Sequence, residues 1–175
     1  MESLIHSILL ALHNIALVGC AAAPFYNRNL VLNRGQYGPK LSFKLDKVIE
    51  DTLQGNAPYC ITFMITLILT GMAMPYNHYF FHGAFRELSM VATIALTIKL
   101  AAIFGMVVIM IMIFFKINPQ LNKIFATFSE SVQPETSIEK NFFALRARRK
   151  KLCEICLIFS ITVLIASAFL SYGHL

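Results

Sequence analysis

Charged side chains are scarce in this sequence. Asp, Glu, Lys and Arg together make up 14% of the 175 residues, whereas hydrophobic residues make up 57%. Soluble domains usually carry about 25% charged residues. This composition argues against a soluble enzyme or a nucleic-acid-binding protein and indicates that lipid is the main solvent. The chain also has no internal repeat and no low-complexity tract, so we predict a single domain over residues 1–175.

Polar interruptions are also rare within four long apolar runs, at residues 4–23, 57–74, 90–115 and 152–172. Each run is close to the ~20 residues that a helix needs to cross a bilayer. The first run has no basic residue before it and is followed directly by Pro24, which is unfavourable for a cleaved signal peptide. We therefore predict four spanning helices and an all-α transmembrane bundle.

Basic residues are nearly absent from one side of this bundle, where only Arg86 is found. Short loops rich in Lys and Arg stay on the cytoplasmic side. Both termini are therefore predicted on the non-cytoplasmic side of a multi-pass protein of a bacterial inner membrane or a thylakoid or plastid membrane. The net charge of +6 then reflects topology, and anionic lipid is the expected partner rather than nucleic acid. The inner loops carry Arg28, Arg34, Lys40, Lys44 and Lys47 before the second run, and Lys116, Lys123, Lys140, Arg146, Arg148, Arg149, Lys150 and Lys151 before the fourth.

Two inner segments have helical patterns of their own. Residues 40–54 place apolar side chains at helical spacing between charges, which predicts a short amphipathic helix on the inner membrane face. Thr136 precedes Glu139 with the spacing of a capping box, so the last helix is expected to begin near Ser137 and to run through the basic cluster.

His13 and Lys99 are ionisable residues within the apolar runs, where such groups are costly and usually functional. Each lies about nine residues from the outer end of its helix, which corresponds to a depth of ~13 Å. The matched depth predicts that they share one site. The alternative is that His13 is a packing histidine bonded to a carbonyl while Lys99 extends toward the outer surface.

Other residues offer ligands for a soft or borderline metal. His6, His78, His82 and His174 are predicted near the outer surface, and an outer copper site would use the first three. The bundle also contains methionines that could bind Cu(I), although methionine commonly fills apolar cores. The four cysteines lie near the inner, reducing ends of the helices, where structural disulfides are not expected.

Several short segments resemble known families. Ala-Leu-His-Asn-Ile at 11–15, followed by Phe25-Tyr26 and Arg28, is similar to the first helix of HemJ-type protoporphyrinogen oxidases. Lys99-Leu100 and the Phe-Phe-Ala-Leu stretch at 142–145 resemble later segments of that family. The four-helix pattern, with Thr70-Gly71 near the end of the second helix, also resembles the CopD copper-resistance membrane proteins.

The HemJ resemblance implies a b-type heme, with His13 as an axial ligand and Lys99 as a second ligand or a propionate partner. It also implies catalytic roles for both residues, and cofactor contacts from Tyr26 and Arg28. Neutral imidazole ligates heme iron, and a lysine can ligate when neutral or pair with a carboxylate when charged.

Three functions follow as hypotheses. The first is a HemJ-like oxidoreductase that passes electrons from a tetrapyrrole to a quinone or another acceptor. The second is a CopD-like copper-handling protein that uses His6, His78, His82 and the methionines. The third is a non-catalytic subunit or assembly factor, whose helices pack in a homo-oligomer or a larger membrane complex.

Overall fold

The protein is described by a computed structural model over residues 1–38, 42–85, 89–128 and 135–172, except the side chains of 171 and 172. Every regular element in these ranges is helical, which confirms the predicted fold class. Four helices are long and apolar enough to span a membrane: α1 (Glu2–Gly35), α3 (Ala57–His82), α4 (Met90–Met112) and α6 (Thr136–Tyr172). Arg86 and His174 lie outside the described residues.

Shorter elements complete the inner side. The helix α2 covers Phe43–Gly55, which confirms the predicted helix in this loop. A π-helical segment at Ile113–Ile117 joins α4 to α5, which covers Asn118–Phe125. The last long helix begins at Thr136, one residue before the predicted start.

The helices α1 and α6 are longer than the apolar runs that predicted them. α1 continues inward past Pro24 to Gly35, and α6 begins well before residue 152. These inner extensions carry Arg34 and Arg146, whose side chains are only 4% and 3% exposed. Arg34 pairs with Asp46 of α2 at 2.7 Å, and Arg146 bonds the same carboxylate. The ion pairs therefore tie α1, α2 and α6 together beyond the apolar runs.

The spanning helices pack in the order α3, α1, α6 and α4. α1 packs against both α3 and α6, and α6 packs against α4, whereas the backbones of α3 and α4 hardly approach each other within the described ranges. Gly19 permits close packing, because a Cβ there would lie 2.5 Å from the Phe63 ring. The core between the helices is formed by Ala16, Leu17, Cys20, Met64, Leu67, Ala102, Met106 and Val163.

Candidate functional site

His13 is buried in the bundle, where Thr70 of α3 fixes its ring. Its Nδ1 atom lies 2.9 Å from the Thr70 hydroxyl oxygen. That hydroxyl donates its single proton to the Thr66 carbonyl at 2.6 Å, so it accepts from the imidazole. The proton of a neutral imidazole is therefore on Nδ1, and the lone pair is on Nε2. This is the arrangement by which a hydrogen bond at one ring nitrogen prepares the other for a ligand.

Lys99 of α4 lies against this lone pair. Its Nζ atom is 3.2 Å from His13 Nε2, so the structure brings together the two residues that depth alone predicted to share a site. Lys99 is partly buried and makes none of the ion pairs found among the described residues. Lys99 Nζ is thus placed to donate a hydrogen bond to His13 Nε2 within the membrane-spanning part of the bundle.

An outer cavity of about 570 Å³ leads toward this pair. It is lined by residues of all four long helices, among them His6, Met74, Leu96 and Leu170. Gly71 also lines it and adjoins the imidazole, since a Cβ at this position would lie 3.4 Å from His13 Cε1. The absence of a side chain at residue 71 leaves one edge of the His13 ring open toward the cavity.

Glu2, His78 and His82 form a cluster near the mouth of this cavity. The Glu2 carboxylate lies 3.0 Å from His82 Nε2 and 3.5 Å from His78 Nδ1. Within the described ranges, this is the single group of three His, Cys, Asp or Glu residues whose ligand atoms all lie within 4.8 Å of one another. The structure therefore unites His78 and His82 of the predicted copper site, whereas His6 lines the cavity outside this cluster.

Tyr26 and Arg28, which the family resemblance assigned to cofactor binding, lie away from His13 and Lys99. They are 13 and 15 residues farther along α1, a distance of roughly 20 Å at the helical rise. Arg28 pairs with Glu154 of α6 at 3.3 Å, and Tyr26 is 52% exposed. The structure does not bring either residue to the His13–Lys99 pair.

A second, smaller cavity of about 70 Å³ lies on the inner side of the bundle. All four cysteines line it, together with Met64, Met106 and Met110. The cysteines are free thiols, and no three of their sulfur atoms lie within 4.8 Å of one another. The positions along the sequence predicted the inner location of these cysteines but not their convergence on one cavity.

Sequence reasoning missed the role of Thr70. In the sequence, Thr70-Gly71 contributes only to the family resemblance, and nothing in its spacing indicates a hydrogen bond to α1. The available signal was depth, since Thr70 lies in the outer half of its helix as His13 does. Comparison with protein-family models, curated proteins and solved structures finds no match to this chain.

Proposed function

We propose that this chain is a heme-binding membrane oxidoreductase of HemJ type that oxidises protoporphyrinogen IX to protoporphyrin IX. The observation that carries heme binding is the buried His13 Nε2 lone pair, oriented by Thr70 and faced by Lys99 at 3.2 Å. The substrate and the reaction rest on the resemblance of the sequence to HemJ-type proteins. We propose a membrane quinone or a similar carrier as the electron acceptor.

The residues around His13 fit a b-type heme. His13 offers a neutral nitrogen, as heme iron requires, and Gly71 leaves space beside the imidazole that a larger side chain would fill. The adjoining cavity of about 570 Å³ lies in the range of ordinary cofactor sites. Lys99 can bind as a neutral amine or pair with a propionate as a cation.

The protein's own residues would hold and orient the reactants. When bound, heme supplies one-electron chemistry. Thr70 keeps the His13 ring in one orientation and one tautomer, and Lys99 holds positive charge or a donor nitrogen beside it. The backbones of α3 and α4 approach each other little within the described ranges, which suits entry of a tetrapyrrole from the bilayer.

The first test is an absorption spectrum of the detergent-purified protein, oxidised and reduced with dithionite. We expect a Soret band and a reduced α-band in the wild type after reconstitution with heme. His13→Ala and Lys99→Ala should each weaken these bands several-fold, because each removes one nitrogen donor. Asn14→Ala is the matched control, since Asn14 is the exposed neighbour of His13 on α1.

Two results would overturn the proposal. A folded wild-type protein that takes up no heme would exclude heme binding at this site. Heme uptake with equal bands in the wild type, His13→Ala and Lys99→Ala would place the heme elsewhere. If the bands respond as expected, oxidation of protoporphyrinogen by the same preparations tests the activity, and an inactive heme-loaded wild type would overturn the enzymatic part alone.

A further inference from the structure

The cluster of Glu2, His78 and His82 connects the outer end of α1 to the outer end of α3. Glu2 is in the first turn of α1, and His78 and His82 are in the last turns of α3, spaced four residues apart. Two histidines at this spacing project from one face of a helix, the arrangement found in helical zinc sites. Their ring centroids are 4.4 Å apart.

The separations of the donor atoms suit a small divalent cation. A tetrahedral zinc ion bound at about 2.0–2.1 Å holds its ligand atoms ~3.3 Å apart. Glu2 Oε1 is 3.1 Å from His82 Nε2 and 3.5 Å from His78 Nδ1, so the distances from this one oxygen lie on both sides of that value. The three donor atoms all lie within 4.8 Å of one another. An ion could therefore be bound without a large movement of either helix.

The position of the cluster also suits an exchangeable ion. The three side chains are between 33% and 52% exposed, so a cation can reach them from the aqueous side. Two imidazoles and one carboxylate provide three protein ligands and leave a position for water. Imidazole donors favour Zn²⁺ and Cu²⁺, whereas Mg²⁺ and Ca²⁺ prefer sites built from oxygen ligands.

We propose that Glu2, His78 and His82 form a binding site for a divalent transition-metal ion, Zn²⁺ or Cu²⁺, that links the outer ends of α1 and α3 at the mouth of the cavity. This site is independent of heme binding at His13. A bound ion replaces the contacts between Glu2 and the two histidines by three bonds to one cation. It thereby holds the mouth of the cavity in one geometry.

The site is tested by titrating Zn²⁺, and separately Cu²⁺, into detergent-purified protein against a chromophoric chelator. The protein is purified through an affinity tag without histidine, and the His13→Ala background removes the competing buried imidazole. We expect one tight equivalent of metal, and weaker binding by at least about tenfold in each of Glu2→Gln, His78→Ala and His82→Ala. Mg²⁺ at the same concentration should not compete.

His6→Ala is the matched control, because it removes another outer histidine that lies outside the cluster. We expect its affinity for Zn²⁺ to stay within about twofold of the parent. If the His13→Ala protein binds no molar equivalent of metal tightly, the proposal is overturned. So would equal affinities in the parent and in the folded Glu2→Gln and His82→Ala variants. Because heme is absent from every sample, neither result bears on the heme proposal.

Discussion

At the scale of single residues, the chemistry of the bundle depends on how one imidazole is held. His13 would have two exchangeable tautomers if its ring were free. The Thr70 hydroxyl removes this freedom, because its own proton is donated to the Thr66 carbonyl and it can only accept from His13. Thr70 is thus a positioning residue that acts through His13.

Replacement of Thr70 by Val should weaken heme binding without removing a nitrogen donor. Val keeps the shape of the side chain but removes the hydroxyl that accepts from His13 Nδ1, and loss of such a partner typically lowers metal affinity by about 10–100-fold. Heme titration followed by the Soret band measures the effect, and Thr70→Ser should restore affinity because it restores the hydroxyl.

The control for this substitution is Thr97→Val on α4. Thr97 is exposed and bonds the carbonyl four residues earlier at 2.9 Å, as Thr70 does at 2.6 Å, but it has no contact with His13. The control should bind heme as the wild type does. Equal affinities of Thr70→Val and Thr97→Val would contradict a positioning role for Thr70.

The sequence could predict the meeting of His13 and Lys99 because depth in a spanning helix follows from the rise per residue. It could not predict the partner on α3. The rotation of each helix about its axis decides which hydroxyl faces the imidazole, and an apolar run with hydrophobic residues on every side does not specify that rotation. The contact of Glu2 with His78 and His82 could not be predicted for a similar reason. These residues are neighbours only because α1 packs on α3.

At the scale of elements, the inner extensions of α1 and α6 are held by charges that sequence reasoning assigned to lipid. Arg146 and Arg149 are buried and bond Glu50, whereas Arg148 is exposed and remains available to headgroups. The basic cluster is therefore divided between two faces of α6. Counting basic residues predicts which side of the membrane they occupy but cannot distinguish a buried ion pair from a charge facing lipid.

Asp46 holds α2, which lies outside the apolar runs, against α1 and α6. Burial alone would raise the pKa of Asp46, but hydrogen bonds from Arg34 and Arg146 outweigh it and hold this pKa below its usual value. Asp46 is 0% exposed, and the backbone amide of Ser42 also donates to it at 2.9 Å. The carboxylate thus joins three segments of the chain.

Replacement of Asp46 by Asn should destabilise the protein. The substitution leaves two buried guanidinium groups without this anionic partner, and loss of one member of a buried ion pair costs about 3–5 kcal/mol. Thermal unfolding followed by circular dichroism should show a clearly lower midpoint. Asp51→Asn is the matched control, because Asp51 is exposed on the same helix. Equal midpoints for the two variants would show that Asp46 does not stabilise the inner side.

At the scale of the whole molecule, the backbones of α3 and α4 approach each other little in the described ranges, but their side chains share one core that contains Leu67 and Met106. The bundle contains an outer cavity, lined among others by His6 and Met74, and an inner cavity, lined among others by Met64 and Met106. Large apolar side chains such as Leu69 and Phe104 point outward and are more than half exposed, as expected for surfaces that face lipid. The apolar runs predict the number of spans, but not the order in which the helices pack.

The basic inner loops predict the orientation of this bundle in the membrane, and single added cysteines can test it. Ser3→Cys places an exposed thiol at the outer end of α1, and Lys123→Cys places one on the exposed inner side of α5. In intact bacterial cells expressing the protein, a membrane-impermeant maleimide should label Ser3→Cys at once and Lys123→Cys only after permeabilisation. The wild-type chain, whose cysteines lie within the bundle, gives the background labelling.

The reverse pattern would contradict the predicted orientation and would change the chemistry available at each end. Glu2, His78 and His82 would then face the cytoplasm, where free Zn²⁺ and Cu²⁺ are scarce, and the cavity lined by cysteines would lie toward the oxidising side. Labelling in the expected pattern instead places the histidine cluster on the side where exchangeable metal ions reach it. It also places the four thiols where they remain reduced.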